Sequence, residues 1–239
     1  LYNLKKKINC YIIEDACHAL GSKYKYKNFF YKVGNGKHAD ISTFSFHPLK
    51  TITTGEGGAI STNNKNIANR TRLIRNHGII GKKDMYYDVK SIGYNFRLSD
   101  LNCALGFSQM TKINKILHIR RSIFKKYLKE LDNFKNVVNV MNKEYLNSAC
   151  HLVVAKINFS RLKINKQKFF DILKKYGITC QFHYLPQYHF SAYNSKNILK
   201  NTEDYYQNCI SLPIHLMINN KKLNYIIYKI KNIINKNIL

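Results

Sequence analysis

In FSFHPLKTITTGEGG, Phe44 to Gly58, a single lysine, Lys50, lies two residues after Pro48 and just ahead of three threonines and three glycines. A solvated, protonated lysine is a poor nucleophile, so a lysine that does covalent chemistry must be desolvated or crowded by positive charge and fixed in place. Pro48 stiffens the approach to Lys50, Thr51, Thr53 and Thr54 supply hydroxyls, and Gly55, Gly57 and Gly58 allow backbone to come close to a ligand. Alone, the stretch reads more readily as a surface turn. A second candidate is Asp15, which follows the apolar run Cys10 to Ile13 and so falls at the carboxyl end of an expected strand. Open α/β sheets place ligand-facing residues there, although a lone aspartate at that point is more often a helix cap or a hydrogen-bonded loop residue.

Together the amine and the carboxylate suggest a pyridoxal phosphate site, with the lysine forming a Schiff base and the aspartate keeping the ring nitrogen protonated by stabilising its positive charge. The elements that must position them are short. Cys10–Ile13 is expected as a buried parallel strand covered on both faces, with Ala39–Phe46 and Gly57–Thr62 as two more strands. Asn66–Asn76 has helical spacing and stops at His77-Gly78. Residues 79–97, with the aromatic cluster Met85-Tyr86-Tyr87, are expected as an irregular excursion toward a partner or a site. Ser99 caps a long amphipathic pattern reaching Leu131, with Leu101, Ala104 and Leu105 on its apolar face. Beyond it, VVNVM and HLVVAKINF read as strands, Lys166–Tyr176 as a helix ended by Gly177, CQFHY as a strand and Asn219–Lys236 as a closing helix. The domain boundary is expected near residue 115, with residues 1–115 a partial cofactor-binding domain and 116–239 a small α/β domain.

A chain of 239 residues with 45 % hydrophobic residues can bury a real core, which excludes a disordered tail. No apolar run reaches about 18 residues and LYNLKKKINC lacks a signal-peptide pattern, so the expected compartment is the cytoplasm, with no membrane contact. The six cysteines form no CxxC pair and are expected as free thiols, with no metal site. The net charge of +27 raises the prospect of a nucleic-acid partner. The lysines, however, are dispersed among Asn, Ile, Tyr and Phe, all with A/T-rich codons, and form no single tract. Solvated faces are therefore the expected reading, and no RNP segment, Cys/His finger or GXXG clamp is present.

Three blocks, EDACHALGS, ADISTFSFHPLKTITTGEGGAISTN and GYNFRLSDLNCALG, closely resemble the DegT/DnrJ/EryC1/StrS family of sugar-nucleotide aminotransferases in order and in chemistry. The SFHP-K-TIT-GEGG form looks most like its PseC-type branch, whose members aminate C4 of a UDP-linked 4-keto-6-deoxy-N-acetyl hexose in pseudaminic acid biosynthesis. The resemblance implies a fold-type I α/β transferase and pyridoxal 5'-phosphate as cofactor. It implies Lys50 as the Schiff-base lysine, Asp15 at the pyridine nitrogen, His18 beside the ring and Ser45 at the cofactor phosphate. Asn95 would reach the phosphate of a neighbouring subunit's cofactor, which makes a homodimer the expected assembly. His183 and Tyr184, in QFHYLPQYHF, would face the nucleotide-sugar substrate, and L-glutamate would be the amino donor. Members carry a substantial section before the EDACHALG strand, which here begins near residue 10, so an incomplete large-domain sheet with exposed edges and apolar faces is expected. Thr51 stands where members often have proline. The alternatives are a sister sugar aminotransferase, a catalytically silent remnant and a basic nucleic-acid-binding module.

Overall fold

A computed structural model describes residues 1–81, 86–141, 144–193 and 197–239. The chain divides into two compact units, one of Leu1–Leu117 with Asn147–Ala149, the other of His118–Leu146 with Cys150–Leu239.

The first unit opens with helix α1 (Tyr2–Ile8) and is built on a three-stranded sheet in the order β1 (Ile13–Asp15), β4 (Ile41–Ser45), β5 (Gly58–Ser61). β1 and β4 are parallel, with Asp15 opposite Thr43, and β5 runs antiparallel, with Gly58 opposite Ser45. A hairpin of β2 (Lys23–Tyr26) and β3 (Phe29–Lys32) fills the connection between the parallel strands. Helix α2 (Lys65–Arg75) starts where the Asn64 side chain accepts from the N–H groups of Asn66 and Ile67, satisfying two of the donors a helix start leaves open. The first strand begins later than its apolar run predicts. Ile12 is engaged beforehand, its N–H by the Asp40 carboxylate and its carbonyl by the Asp40 and Ile41 N–H groups, so the ladder starts at Ile13. Nor is the strand covered on both faces, since Ile13 is 66 % exposed.

The expected excursion over 79–97 is in part a hairpin, β6 (Ile79–Gly81) with β7 (Tyr87–Val89); its residues 82–85, including Met85 of the aromatic cluster, lie outside the described residues. The long amphipathic pattern is two helices, α3 (Asp100–Met110) and α4 (Ile113–Leu131). Ser99 caps the first through the Asn102 N–H. The break follows from Thr111, whose hydroxyl donates back to the Ser108 carbonyl at 2.8 Å and competes with continued helix. Of the expected apolar face, Ile116, Leu117, Phe124, Tyr127 and Leu131 are buried, whereas Leu101, Ala104 and Leu105 are exposed.

The second unit holds an antiparallel sheet in the order β10 (Cys209–Leu212), β9 (Val153–Ile157), β8 (Val138–Val140), with helices α5 (Lys166–Lys175), α6 (Lys200–Asn208) and α7 (Asn220–Asn237). Along β9 buried Val153, Ala155 and Ile157 alternate with half-buried neighbours, the period of a sheet with one face on the core. α7 buries Leu223, Ile226, Ile227, Ile230, Ile233 and Ile234, a stripe at helical spacing. CQFHY is not a strand. Gln181 makes one bridge to Ser211 and the chain then turns away through Pro186. All six cysteines are free thiols. Among the described residues no helix is long and apolar enough to cross a membrane.

Candidate active site

Because β1 and β4 are parallel, their carboxyl ends meet at one edge of the first-unit sheet, and β5 re-enters at that edge. Asp15 ends β1, Ser45 ends β4, and Lys50 lies in the loop from Phe46 to Gly57 that joins β4 to β5. His18 lies in the turn after β1. The structure thus brings four of the predicted residues to one edge.

The loop is held by its own hydrogen bonds. The Thr54 N–H and the Thr53 hydroxyl both donate to the Phe46 carbonyl, at 3.0 and 2.9 Å, and the Phe46 N–H donates to the Gly57 carbonyl at 2.8 Å. Thr51, Ile52 and Thr54 are buried and anchor the loop, while Lys50 is half-buried and its N–H donates to the His47 carbonyl at 2.9 Å. The His47 ring stays within the loop, accepting from the Leu49 N–H and standing 3.7 Å from the Glu56 carboxylate. Two of the glycines expected to admit a ligand serve the protein instead. A Cβ on Gly58 would meet the Phe44 carbonyl oxygen at 2.7 Å, and one on Gly57 would meet the Thr54 hydroxyl at 2.3 Å.

Asp15 is exposed and prepared as an anion. Hydrogen bonds from the Cys17 side chain and from the Cys17 N–H (3.1 Å to Oδ1) come first in holding its carboxyl below the usual aspartate range; burial opposes them slightly, and the charges of His18 and Lys50 add to the lowering. Reciprocally, the Asp15 hydrogen bond, followed by burial, pushes the Cys17 thiol up. A carboxylate and a primary amine at one edge of a sheet are the donor set that a cationic pyridine ring bearing an aldehyde requires, so these residues fit pyridoxal phosphate.

The other predicted residues lie elsewhere. Asn95 pairs with Asn76 at the end of α2 and is exposed. His183 and Tyr184 belong to the second unit, where His183 Nδ1 is 2.7 Å from the Ser211 hydroxyl and Tyr184 is exposed. Three supporting residues escaped the sequence reading. Gln109 Oε1 accepts from the Thr53 N–H at 3.2 Å and ties the Phe46–Gly57 loop to α3. Gly106, on the same helix, faces Thr54 so closely that a Cβ would meet its methyl at 2.6 Å. Glu14 accepts from the Ser42 hydroxyl and the Gly34 N–H, fixing the strand that carries Asp15. A glycine inside a helical pattern was a readable sign of close approach; nothing marked Gln109.

Comparison with known proteins agrees with this geometry. The chain is 40 % identical over 227 residues to the UDP-4-amino-4,6-dideoxy-N-acetyl-beta-L-altrosamine transaminase of Campylobacter jejuni (strain 81-176), an alignment covering 94 % of this chain and 58 % of that protein. The structure of Helicobacter pylori PseC, an aminotransferase involved in the biosynthesis of pseudoaminic acid, matches with TM-score 0.87 at 33 % identity, over 98 % of this chain and 62 % of that one. A putative sugar aminotransferase of Streptococcus pneumoniae, solved in its PMP form, shares the fold at TM-score 0.82 and 24 % identity, over 98 % of this chain and 60 % of that one. The chain thus spans about 60 % of the length of these proteins. The pattern of the DegT/DnrJ/EryC1/StrS aminotransferase family matches residues 1–231, and the chain belongs to that family.

Proposed function

We propose that the chain carries the central chemistry of a pyridoxal phosphate-dependent aminotransferase that moves an amino group from L-glutamate to a nucleotide-linked keto sugar. The sugar position we assign is C4 of a UDP-linked 4-keto-6-deoxy-N-acetyl hexose, on the strength of the Campylobacter and Helicobacter relatives. The observation that carries the reading is the emergence of Lys50 and an ionised Asp15 from one edge of a parallel strand pair.

When bound, the cofactor supplies an electron sink for the carbon that loses its proton. Lys50 Nζ would hold the cofactor and, when free, would take a proton from the donor's α-carbon and deliver one toward the sugar carbon, as general base and then acid. The Asp15 carboxylate would pair with the ring nitrogen and keep it protonated. His18 would lie beside the ring, and the Ser45 hydroxyl, at the end of β4, would hold the phosphate. Asn95 serves a phosphate across a homodimer, and His183 and Tyr184 of the second unit contact the sugar nucleotide. The same reading places the protein in the cytoplasm.

The test is covalent. With stoichiometric pyridoxal phosphate and borohydride reduction, mass spectrometry should find the cofactor fixed on Lys50 ahead of the chain's other lysines. Lys50→Ala should lose that adduct and at least about a thousandfold in transamination, on the order of 4 kcal/mol of barrier. An adduct spread evenly over surface lysines, or activity retained in Lys50→Ala, would end the assignment.

A further inference from the structure

The hairpin of β2 and β3 has two unlike faces. Residues paired directly across an antiparallel ladder share a face, so Tyr24, Tyr26, Phe29 and Tyr31 lie on one and Lys23, Lys25, Phe30 and Lys32 on the other. The rings of Tyr24, Tyr26 and Tyr31 close around His38, with centroids 5.5, 4.4 and 5.0 Å from the imidazole, and the Tyr24 hydroxyl is 2.6 Å from His38 Nδ1. That packing fixes the hairpin. Its other face is exposed at all four residues. At the tip, Lys27 takes the left-handed conformation with φ 53°, and Phe29 and Phe30 follow the turn, 67 % and 55 % exposed. No acidic residue occurs from Gly21 to Lys37. Among the described residues none of Lys23, Lys25, Lys27 and Lys32 is in an ion pair.

Lysine on a hairpin has an ordinary use, which is to keep open strand edges from pairing with another chain. That accounts for the charge. It does not account for two phenylalanines beside a turn, where small polar residues are the usual choice. Basic residues with exposed rings suit either single-stranded nucleic acid or an anionic bilayer, and the geometry separates the two. Stacking of successive bases needs rings that build a common platform, whereas Phe29 and Phe30 are neighbours in one strand and point to opposite faces. Rings on both sides of an exposed tip form a wedge. A wedge suits the fluid boundary between headgroups and acyl chains, where buried apolar area and attraction of lysine to anionic headgroups add together.

We infer that the tip of this hairpin is a docking surface for an anionic lipid bilayer, with Phe29 and Phe30 entering the interface and Lys23, Lys25, Lys27 and Lys32 drawn to the headgroups. Contact of this kind is peripheral and needs no spanning segment, so the lack of one among the described helices does not bear on it. The inference does not depend on the role of Lys50.

The chain has no tryptophan, so Phe29→Trp and Phe30→Trp each install a single fluorescent reporter. At physiological salt each is mixed with vesicles of three parts phosphatidylcholine to one part phosphatidylglycerol, with vesicles of phosphatidylcholine alone, and with polyuridylate. With the anionic vesicles the emission of both reporters should shift to the blue and be quenched by brominated acyl chains. Neutral vesicles should bind at least about a hundredfold more weakly, since each of the four lysines is worth about fivefold near an anionic surface. In cosedimentation with the anionic vesicles, Phe29→Ser with Phe30→Ser should weaken binding at least about tenfold. Lys23→Gln with Lys25→Gln should do the same, whereas Lys125→Gln with Lys129→Gln removes equal charge from α4 and should cost less than about threefold. Absence of quenching in either reporter, or equal weakening by the α4 pair, would overturn the inference. So would polyuridylate shifting the reporters while vesicles do not, which would make the face a nucleic-acid contact.

Discussion

The two units are held by different forces. The continuous hydrophobic core lies wholly in the second, from Ile123 through Phe169 to Ile234. In the first, the buried residues are few and largely small or polar: Ala16, Ser22, Ser42, Thr51, Thr54 and Ala149, with Ile52, Ile116 and Leu117. Its sheet leaves Ile13 and Ile60 exposed, and Phe29 and Phe30 of its hairpin are exposed too. Burying one large aliphatic or aromatic side chain stabilises by about 1.5–3 kcal/mol, whereas a net hydrogen bond contributes about 1 kcal/mol. The second unit is thus fixed by quantity of buried surface and the first by direction of hydrogen bonds. Directional bonds fix the loop that carries Lys50 and hold the Asp15 carboxylate through the Cys17 N–H; an apolar interior could not hold an ionised carboxylate without a large desolvation cost.

The sharpest way to break this contrast is at Phe169, which is fully buried and meets Phe159 edge-on at 5.9 Å. Phe169→Ala should destabilise by about 3–5 kcal/mol in urea unfolding, because it removes both transfer energy and packing. A loss below about 1 kcal/mol would mean that the apolar core does not dominate the second unit.

Gly106→Ala probes the other side at a smaller scale. Alanine is favoured over glycine in a helix by about 1 kcal/mol, but the new methyl would collide with the Thr54 methyl. Thr54 is buried and its hydroxyl is committed to the Glu56 carbonyl at 2.8 Å, so it has nowhere to go. Overpacking of this kind costs about 1–3 kcal/mol, which leaves a net loss of about 1 kcal/mol. Amide exchange over residues 46–57 should speed up, while the second-unit core stays protected. Unchanged protection of that loop would show that it does not depend on α3.

Much of this architecture was legible in the chain. Strands Ile41–Ser45 and Gly58–Ser61 and the closing helix follow from local pattern, because hydrophobic period acts over a few residues. The edge carrying Asp15, Ser45 and Lys50 was legible through motif order. What was not legible depended on contacts distant in sequence. Ile12 is drawn out of the strand by Asp40, twenty-eight residues on. The hairpin Lys23–Lys32 hides in a lysine-tyrosine run whose aromatics, Tyr24, Tyr26 and Tyr31, gather around His38. CQFHY has strand composition, yet only Gln181 finds a partner. Nothing in the sequence marked the hydrogen bond between the Cys17 thiol and Asp15.

The smallest expected effect tests whether even the outer fixings of the first unit are electrostatic. The Asp40 carboxylate accepts from the Ile12 N–H at 2.8 Å and pairs with the Lys5 ammonium, where the β1–β4 ladder begins. Those two contacts, the N–H first, hold its carboxyl below the ordinary aspartate range. A depressed folded-state pKa means that the unfolded chain binds the proton more readily, so the stabilisation is complete above the unfolded value of about 3.9 and is lost as pH falls through the folded value. In Asp40→Asn the side-chain oxygen still accepts from Ile12, while an amide NH2 replaces the oxygen that faces Lys5, so the ion pair and its hydrogen bond are gone. The difference from the parent chain should therefore be about 0.2–1 kcal/mol at neutral pH, the scale of a surface ion pair. It should shrink toward zero on acidification and fall at neutral pH in high salt. A difference that grows as pH drops would reverse the sign of the argument, and one as large as that of Phe169→Ala would erase the distinction between the two units.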